Sequence, residues 1–203
     1  MTLIPRNLYA VGRDGNVGMT VPLLDSWTDL GNLGGWTLKM LARGLNNSLY
    51  GVGTDGNIGV WNGSGGWVEQ TSMNSWAVKM LAWAPDGTAW GVGIDGNVGT
   101  WGPYGWENKG IFGGWTLKML AFDSAGVMYG VGTEGNVGKW LTGKWCDPHL
   151  GTWTLDMLTF DSAGTPWCVG TDGNVGAWNG AAWADIGNIG GWSMSWLYFM
   201  PAQ

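Results

Sequence analysis

Short apolar segments alternate with turn residues along the whole chain. Residues 113–145 show the pattern in full: GGWTLKMLAFDSAGVMYGVGTEGNVGKWLTGKW. The apolar positions never continue at helical spacing for long enough to predict a helix. Turn sequences such as DSAG, TEG and LTG divide the stretch, which predicts four strands: WTLKMLAF, MYGVG, NVGKW, and KW with the residues that follow it.

This unit recurs around the chain. A turn phrase marks each copy, at spacings of 41, 40, 39 and 38 residues: Asp14–Asn16, Asp55–Asn57, Asp95–Asn97, Glu134–Asn136 and Asp172–Asn174. One set of tryptophans, here called the link tryptophans, recurs once in each repeat: Trp36, Trp76, Trp115, Trp153 and Trp192. A second set, the outer tryptophans, does so too: Trp27, Trp67, Trp106, Trp145 and Trp183. A repeat of about 40 residues holding four strands has the size of a propeller blade.

The two ends of the sequence predict how the ring closes. The segment WSMSWLYFMPAQ from residue 192 matches only a first strand, whereas NLYAVG at the N-terminus matches a second strand. A C-terminal strand placed innermost beside three N-terminal strands would complete a fifth blade and remove an open sheet edge. An open solenoid would carry capping repeats instead. We therefore predict an all-β protein, one five-bladed β-propeller domain over residues 1–203, with four-stranded antiparallel blades.

Composition and charge exclude several classes of partner. Only 12% of the residues are charged, and the formal net charge is −6 with no basic run. The composition therefore argues against nucleic acid and anionic membrane surfaces as partners. The apolar stretches are too short to cross a bilayer, and the N-terminus lacks a basic region followed by an apolar core. The sequence thus predicts neither membrane insertion nor a secretion signal.

Few residues are suited to metal or redox chemistry. Cys146 and Cys168 are too few for a disulfide framework, and His149 is the only histidine. Cys168 occupies a position held by glycine in other repeats, which favours a small buried thiol. We expect no metal, no cofactor and no catalytic residue.

The acidic turn residues admit two interpretations. Asp-Gly and Gly-Asn favour tight hairpins, because glycine adopts positive φ and the Asp or Asn side chain bonds nearby amides. These turns also lie on the same blade face as the links between blades, if strand order is antiparallel. They are then positioned to contact a ligand between blades, and Glu134 keeps the carboxylate although its longer side chain suits the turn poorly.

The tryptophans also admit two interpretations. Core packing is expected for about half of the eighteen. Exposed indoles would instead mark a binding patch, and the apolar face of a sugar ring stacks well on them. The fourth of the five links, residues 147–152 before Trp153, differs most from the others. Pro148 and His149 replace a Gly-Asn pair there. We expect that site to be the weakest candidate and His149 to be a solvated loop residue.

The segment DSWTDLGNLGGWTLKMLARGLNNSLYGVG, residues 25–53, resembles the repeat of the tachylectin-2 family of lectins. The Asp-Gly-Asn phrase is similar to the VGxDGxVW wording of tectonin-type propellers, which also bind glycans. The resemblance implies a five-bladed propeller that binds N-acetylglucosamine or N-acetylgalactosamine, with one site per blade near each junction. The Gly-Gly-Trp link matches fully at Trp36, Trp115 and Trp192 and partly at Trp76 and Trp153.

The turns and the links together define the candidate sugar-binding residues. From the turns these are Asp14, Asn16, Asp55, Asn57, Asp95, Asn97, Glu134, Asn136, Asp172 and Asn174. From the links they are Asn32, Trp36, Asn74, Trp76, Trp115, Trp153, Asn188 and Trp192.

Three functional classes follow from these patterns. The favoured one is a monomeric lectin whose related sites act together on a glycan-coated surface. A protein-interaction scaffold is the alternative, although a protein partner would select one asymmetric patch rather than a repeated one. A glycoside hydrolase would need two carboxylates at one centre, and the unrepeated acids Asp25, Glu69 and Glu107 form no evident pair in the sequence.

Overall fold

The computed structural model describes residues 8–21, 26–44 and 47–199. Residues 1–7, Asp25 and the C-terminal residues 200–203 lie outside this part, so the expectations that involve them are not assessed. The described residues form these strands: β1 Leu8–Gly12, β2 Val17–Val21, β3 Ser26–Gly31, β4 Leu38–Arg43, β5 Leu49–Gly53, β6 Ile58–Trp61, β7 Trp67–Glu69, β8 Val78–Trp83, β9 Ala89–Gly93, β10 Val98–Gly102, β11 Gly105–Gly110, β12 Leu117–Phe122, β13 Met128–Gly132, β14 Val137–Leu141, β15 Lys144–Cys146, β16 Leu155–Phe160, β17 Pro166–Gly170, β18 Val175–Trp178, β19 Trp183–Gly187 and β20 Met194–Phe199.

The strands form five antiparallel sheets of four strands, which are the blades of a propeller. Blade 1 has the order β20-β1-β2-β3, and blades 2 to 5 are β4–β7, β8–β11, β12–β15 and β16–β19. The four-strand prediction for residues 113–145 is confirmed in number and order. The first strand starts later than predicted, at Leu117 rather than Trp115, because Trp115 still belongs to the link.

Closure of the ring by the C-terminal strand is confirmed. β20 pairs antiparallel with β1, and the register places Ala10 opposite Leu197 and Tyr9 opposite Tyr198. Both Ala10 and Leu197 are buried, so the closing contact lies inside the core. The hydrophobic effect and the hydrogen bonds of the sheet therefore both hold β20 against β1.

In each blade, tryptophan rings pack against glycines of the middle strands. In blade 2, Gly51 of β5 lies directly opposite Gly59 of β6. A Cβ atom on Gly51 would lie 2.8 Å from the Trp67 ring, and one on Gly59 would lie 2.9 Å from the Trp36 ring. The two indoles thus share the space that side chains would fill. Blades 3 and 4 repeat the arrangement, whereas Ala10 and Cys168 replace the first glycine in blades 1 and 5.

The outer tryptophans fasten the links between blades. In four blades, the indole N–H of the outer tryptophan donates to a backbone carbonyl oxygen in the link that enters the same blade. The bonds are Trp67 to Leu33 at 2.7 Å, Trp106 to Met73 at 2.7 Å, Trp145 to Phe112 at 2.9 Å and Trp183 to Leu150 at 2.5 Å. The equivalent Trp27 nitrogen is buried without a partner among the described residues. These tryptophans are structural, and they set the path of each link.

The predicted split between core and exposed tryptophans is wrong. All eighteen lie within the described residues, and each is buried or half-buried. The cause is the glycines of each blade, which let the tryptophan rings approach the sheet closely. A ligand can therefore reach only part of a ring, never a projecting indole.

Cys168 is the buried thiol that its glycine-like position predicted. It is fully buried beside Gly176, and burial raises its pKa to about 12. Cys146 and Cys168 are both unpaired. In the described part of the chain, no helix has the length and apolar character needed to cross a membrane.

A pair of glycine substitutions within blade 3 tests the indole packing. Gly91→Ala places a Cβ atom 2.8 Å from the Trp106 ring, so we expect it to lower the free energy of unfolding by about 2 kcal/mol. Gly102→Ala meets no atom closer than 3.9 Å and should change it by less than about 0.5 kcal/mol. Chemical denaturation of both variants measures the difference, and equal losses would contradict this packing account.

Candidate functional site: the grooves between blades

The turns and the links lie on one face of the propeller, as predicted. The amide of Leu38, the first residue of β4, donates to the carbonyl oxygen of Gly15 in the turn of blade 1, at 3.2 Å. Leu155 bonds Gly135 in the same way at 2.9 Å. Each of these turns therefore contacts the first residue of the next blade's inner strand, and a groove at the junction is bordered by both.

The aspartates of the first three turns are engaged in their own hairpins. In blade 2, one Asp55 oxygen accepts from the Asn57 backbone amide and the other from the Asn57 side chain, both at 3.0 Å. Gly56 lies between them at φ 87°, where glycine is strongly favoured. The same pairs of bonds hold Asp14 to Asn16 and Asp95 to Asn97. These carboxylates therefore stabilise their own turns and are already hydrogen-bonded without a ligand.

The turn of blade 5 is intermediate. Asp172 accepts from the Asn174 backbone amide at 3.0 Å. No described residue accepts from the Asn174 side-chain amide, and Asn174 is half-buried.

The turn of blade 4 differs from the other turns. Glu134 replaces aspartate, and neither its carboxylate nor the Asn136 side-chain amide has a hydrogen-bond partner among the described residues. Both residues are exposed, whereas the asparagines of the other turns are half-buried. The extra methylene of Glu134 carries its carboxylate away from the turn amides. This turn consequently presents one free carboxylate and one free amide.

The link tryptophans lie half-buried at the blade junctions. Trp36 contacts the positions of Gly53 and Gly59 on its own blade, with its ring centroid 5.8 Å from that of Trp67. Trp115 and Trp145 stack in the same way, with centroids 5.6 Å apart. Trp76, Trp153 and Trp192 also contact the strand glycines of their own blades. Each link tryptophan thus serves the fold and leaves part of its ring accessible.

The link asparagines divide into two kinds. Asn74 is structural, because its side-chain oxygen accepts from the Ile58 amide at 2.8 Å while its nitrogen donates to Glu69 at 2.8 Å. Asn32 and Asn188 are exposed and precede single-turn 3-10 helices, Leu33–Gly35 and Ile189–Gly191, without capping them through the side chain. Asn32 and Asn188 therefore remain candidates for ligand contact.

The link between blades 4 and 5 is one residue shorter than the others. Trp145 and Trp153 are eight residues apart, whereas every other outer tryptophan is nine residues from the next link tryptophan. Asp147 makes the turn, accepting from the His149 amide at 2.7 Å, and His149 adopts φ 56°. In blade 1, Asp29 and Gly31 make the equivalent bond, with Gly31 at φ 63°. His149 therefore replaces the link glycine, and its imidazole is exposed.

A groove with a volume of about 490 Å³ lies at this junction. Its walls include Glu134 and Asn136 from the blade 4 turn, Trp115 from the link that enters blade 4, and Trp153 with Thr152 from the shortened link. This volume is within the range of about 300–1,000 Å³ for small-molecule sites. The fourth site, which the sequence makes the weakest candidate, thus lies beside a groove, and its rank among the sites stays a prediction.

Smaller grooves occur beside two other turns. One of about 320 Å³ lies between Asp14 and Trp192, and one of about 260 Å³ lies between Asp172 and Trp153. Their walls contain a carboxylate and an indole, but no free side-chain amide of a turn asparagine. Among the described residues, no group of three or more histidine, cysteine, aspartate or glutamate side chains is arranged to hold a metal ion.

Sequence reasoning missed several residues that line the groove at blades 4 and 5. Asp147, Thr152 and Thr154 contribute polar groups, and Pro148 and Leu150 contribute apolar ones. The signal that could have found them is the spacing of eight between Trp145 and Trp153. This is the only link among the described residues with that spacing, and the groove lies beside it.

Comparisons with known proteins show the fold and no family. No family model matches the chain, and no curated protein matches it. Among solved structures, a symmetrical protein from work on its de novo evolutionary emergence has 19% identity and a TM-score of 0.60, covering 97% of this chain and 99% of that one.

Two further structures carry the names of enzymes. A protein assigned the name gluconolactonase has 14% identity and a TM-score of 0.56, with 93% of this chain and 80% of that one covered. Virginiamycin B lyase from Staphylococcus aureus has 13% identity and a TM-score of 0.50, with 88% and 68% covered. At these identities, the similarity establishes the propeller fold alone.

Stability measurements can separate structural turn carboxylates from free ones. Asp55→Ala removes two hydrogen bonds of its turn, so we expect the free energy of unfolding to fall by about 1 kcal/mol. Glu134→Ala removes no such bond and should leave stability within about 0.5 kcal/mol of the parent. Urea denaturation of the two variants checks this, and a larger loss for Glu134→Ala would show that Glu134 supports the fold.

Proposed function

We propose that this propeller is a carbohydrate-binding protein for N-acetylated sugars, with its principal site in the groove between blades 4 and 5. The observation that carries the proposal is the free turn of blade 4. Glu134 and Asn136 offer a carboxylate and an amide that no described residue engages, beside a groove of about 490 Å³. In the first three turns the corresponding groups bond each other.

The walls of the groove suit the chemistry of a sugar. The carboxylate of Glu134 can accept hydrogen bonds from two neighbouring hydroxyls, and the Asn136 amide can both donate and accept. The accessible parts of Trp115 and Trp153 provide apolar surface for the face of the ring. The hydroxyl of Thr152 adds a donor or acceptor for an acetamido group.

The turns of blades 1 and 5 supply weaker sites of the same kind. Asp14 with Trp192 and Asp172 with Trp153 border the two smaller grooves. Several weak sites on one ring can raise the avidity for a glycan-coated surface by about 10² to 10⁴ without new contacts. A monomer is sufficient for this, and we propose glycans or glycoconjugates as the partners.

A protein-interaction scaffold is the second candidate, and an apolar patch favours it. Ile94 of the blade 3 turn and Ile111 of the link to blade 4 are 64% and 57% exposed, on the face that carries the turns. Exposed apolar residues are typical of protein-binding surfaces. Both residues belong to the junction of blades 3 and 4, as an asymmetric partner would require, whereas the turn groups recur.

Titration calorimetry with N-acetylglucosamine and with N-acetylgalactosamine tests the proposal. The parent protein should bind at least one of the two sugars. Glu134→Gln keeps the size of the side chain but removes the charge, and we expect it to weaken binding about tenfold, which is about 1.4 kcal/mol.

Asp55→Asn is the matched control, because it removes one turn carboxylate at a junction where that group is already bonded. It should leave the affinity within about twofold of the parent. Failure of the folded protein to bind either sugar would overturn the lectin proposal and leave the scaffold. Equal losses in both variants would show that the blade 4 turn has no special role.

A further inference from the structure

The inner strands bring basic residues together at the propeller axis. The second residue of each inner strand lies at the same level, near the face that carries the turns: Lys39, Lys79, Lys118, Asp156 and Ser195. Arg13, from the blade 1 turn, reaches the same group, because its guanidinium lies 3.6 Å from the Asp156 carboxylate. We call Arg13, Lys39, Lys79, Lys118 and Asp156 the axial cluster.

The charge of the axial cluster is opposite to that of the whole molecule. The chain has nine basic residues against fifteen acidic ones, and four of the nine are in this cluster with a single carboxylate. Like charges repel, so the gathering of cations costs free energy unless an anion compensates it. Asp95 of the blade 3 turn is a second nearby carboxylate, because its charge acts on Lys79.

The single carboxylate is used by two of the four cations. Asp156 bonds Lys118 at 2.9 Å and pairs with Arg13, which also donates to the Thr171 carbonyl oxygen at 2.6 Å. Lys39 and Lys79 form no ion pair and no hydrogen bond with any described residue, although both are half-buried. Two ammonium groups therefore remain available at the axis.

The electrostatic environment of Lys79 agrees with this arrangement. Burial lowers its pKa most strongly, Asp95 opposes the shift, and the charges of Lys118 and Lys39 lower the pKa further. The three ammonium groups are thus close enough to act on one another. An anion held among them would relieve that repulsion.

We propose that the axial cluster binds one small oxyanion, a phosphate, sulfate or carboxylate group, between Lys39 and Lys79 with Lys118 beside them. Ammonium groups bind such anions through charge-assisted hydrogen bonds. The carboxylate of Asp95, which acts on Lys79, opposes a large polyanion and so favours a small, singly bound anionic group. This site is separate from the groove at Glu134 and does not depend on sugar binding there.

Calorimetric titration at low ionic strength tests the proposal with two probes, inorganic phosphate and glucuronic acid. The parent should bind at least one of them with a stoichiometry of one. Lys39→Met and Lys79→Met keep the apolar stem and should each weaken binding about tenfold, and added chloride should weaken binding in the parent. Phosphate binding alone would indicate an inorganic or phosphorylated ligand, and glucuronate binding alone would indicate an acidic sugar.

Lys144→Met is the matched control. Lys144 is exposed on the outer strand β15, so its loss changes the net charge equally but should leave binding unchanged. Glu134→Gln should also retain phosphate binding, which separates this site from the sugar groove. The proposal is wrong if neither probe binds the folded parent, or if Lys144→Met weakens binding as much as Lys79→Met.

Discussion

The propeller depends on one packing contact, which is the placement of tryptophan rings over glycines in the two middle strands of a blade. Gly51 and Gly59 illustrate it, since each would bring a Cβ atom to within 3 Å of an indole. The absence of side chains at these positions allows two large rings to pack closely against one sheet. Their buried area is what stabilises a chain with few charged residues. The high content of both glycine and tryptophan is therefore a single structural requirement.

The same packing contact determines which groups are available to bind a ligand. In four blades an outer tryptophan bonds the link, and the link places the link tryptophan. The turn glycines Gly15, Gly135 and Gly173 accept a hydrogen bond from the next inner strand. A residue in a turn or a link is thus constrained by the fold first. Groups become available for binding where one copy departs from the repeat. Blade 4 departs twice, by the change to Glu134 and by the loss of one residue before Trp153.

The fold could be predicted from sequence because its signals are local and repeated. The strands, the turns, the number of blades and the pairing of β20 with β1 follow from residue periodicity and from the partial repeats at the two ends. The exposure of the tryptophans could not be predicted, since it depends on glycines in neighbouring strands. The distinction between Asp55 and Glu134 also required the structure, because one methylene decides whether a carboxylate reaches its own turn.

The links show the same limit of sequence reasoning. Pro148 and His149 in place of a Gly-Asn pair make this site the most doubtful candidate when only residue identity is considered. The structure places a groove of about 490 Å³ there. Likewise, the lysines at the second position of successive inner strands are unremarkable in sequence, and only closure of the ring brings them together.

The most direct test of the account is a crystal structure of the protein soaked with N-acetylglucosamine, with the sugar density compared between junctions. The account predicts the strongest density in the groove between blades 4 and 5, within hydrogen-bond distance of Glu134 and Asn136 and against Trp153. Density at the Asp55 turn, with none at Glu134, would contradict it.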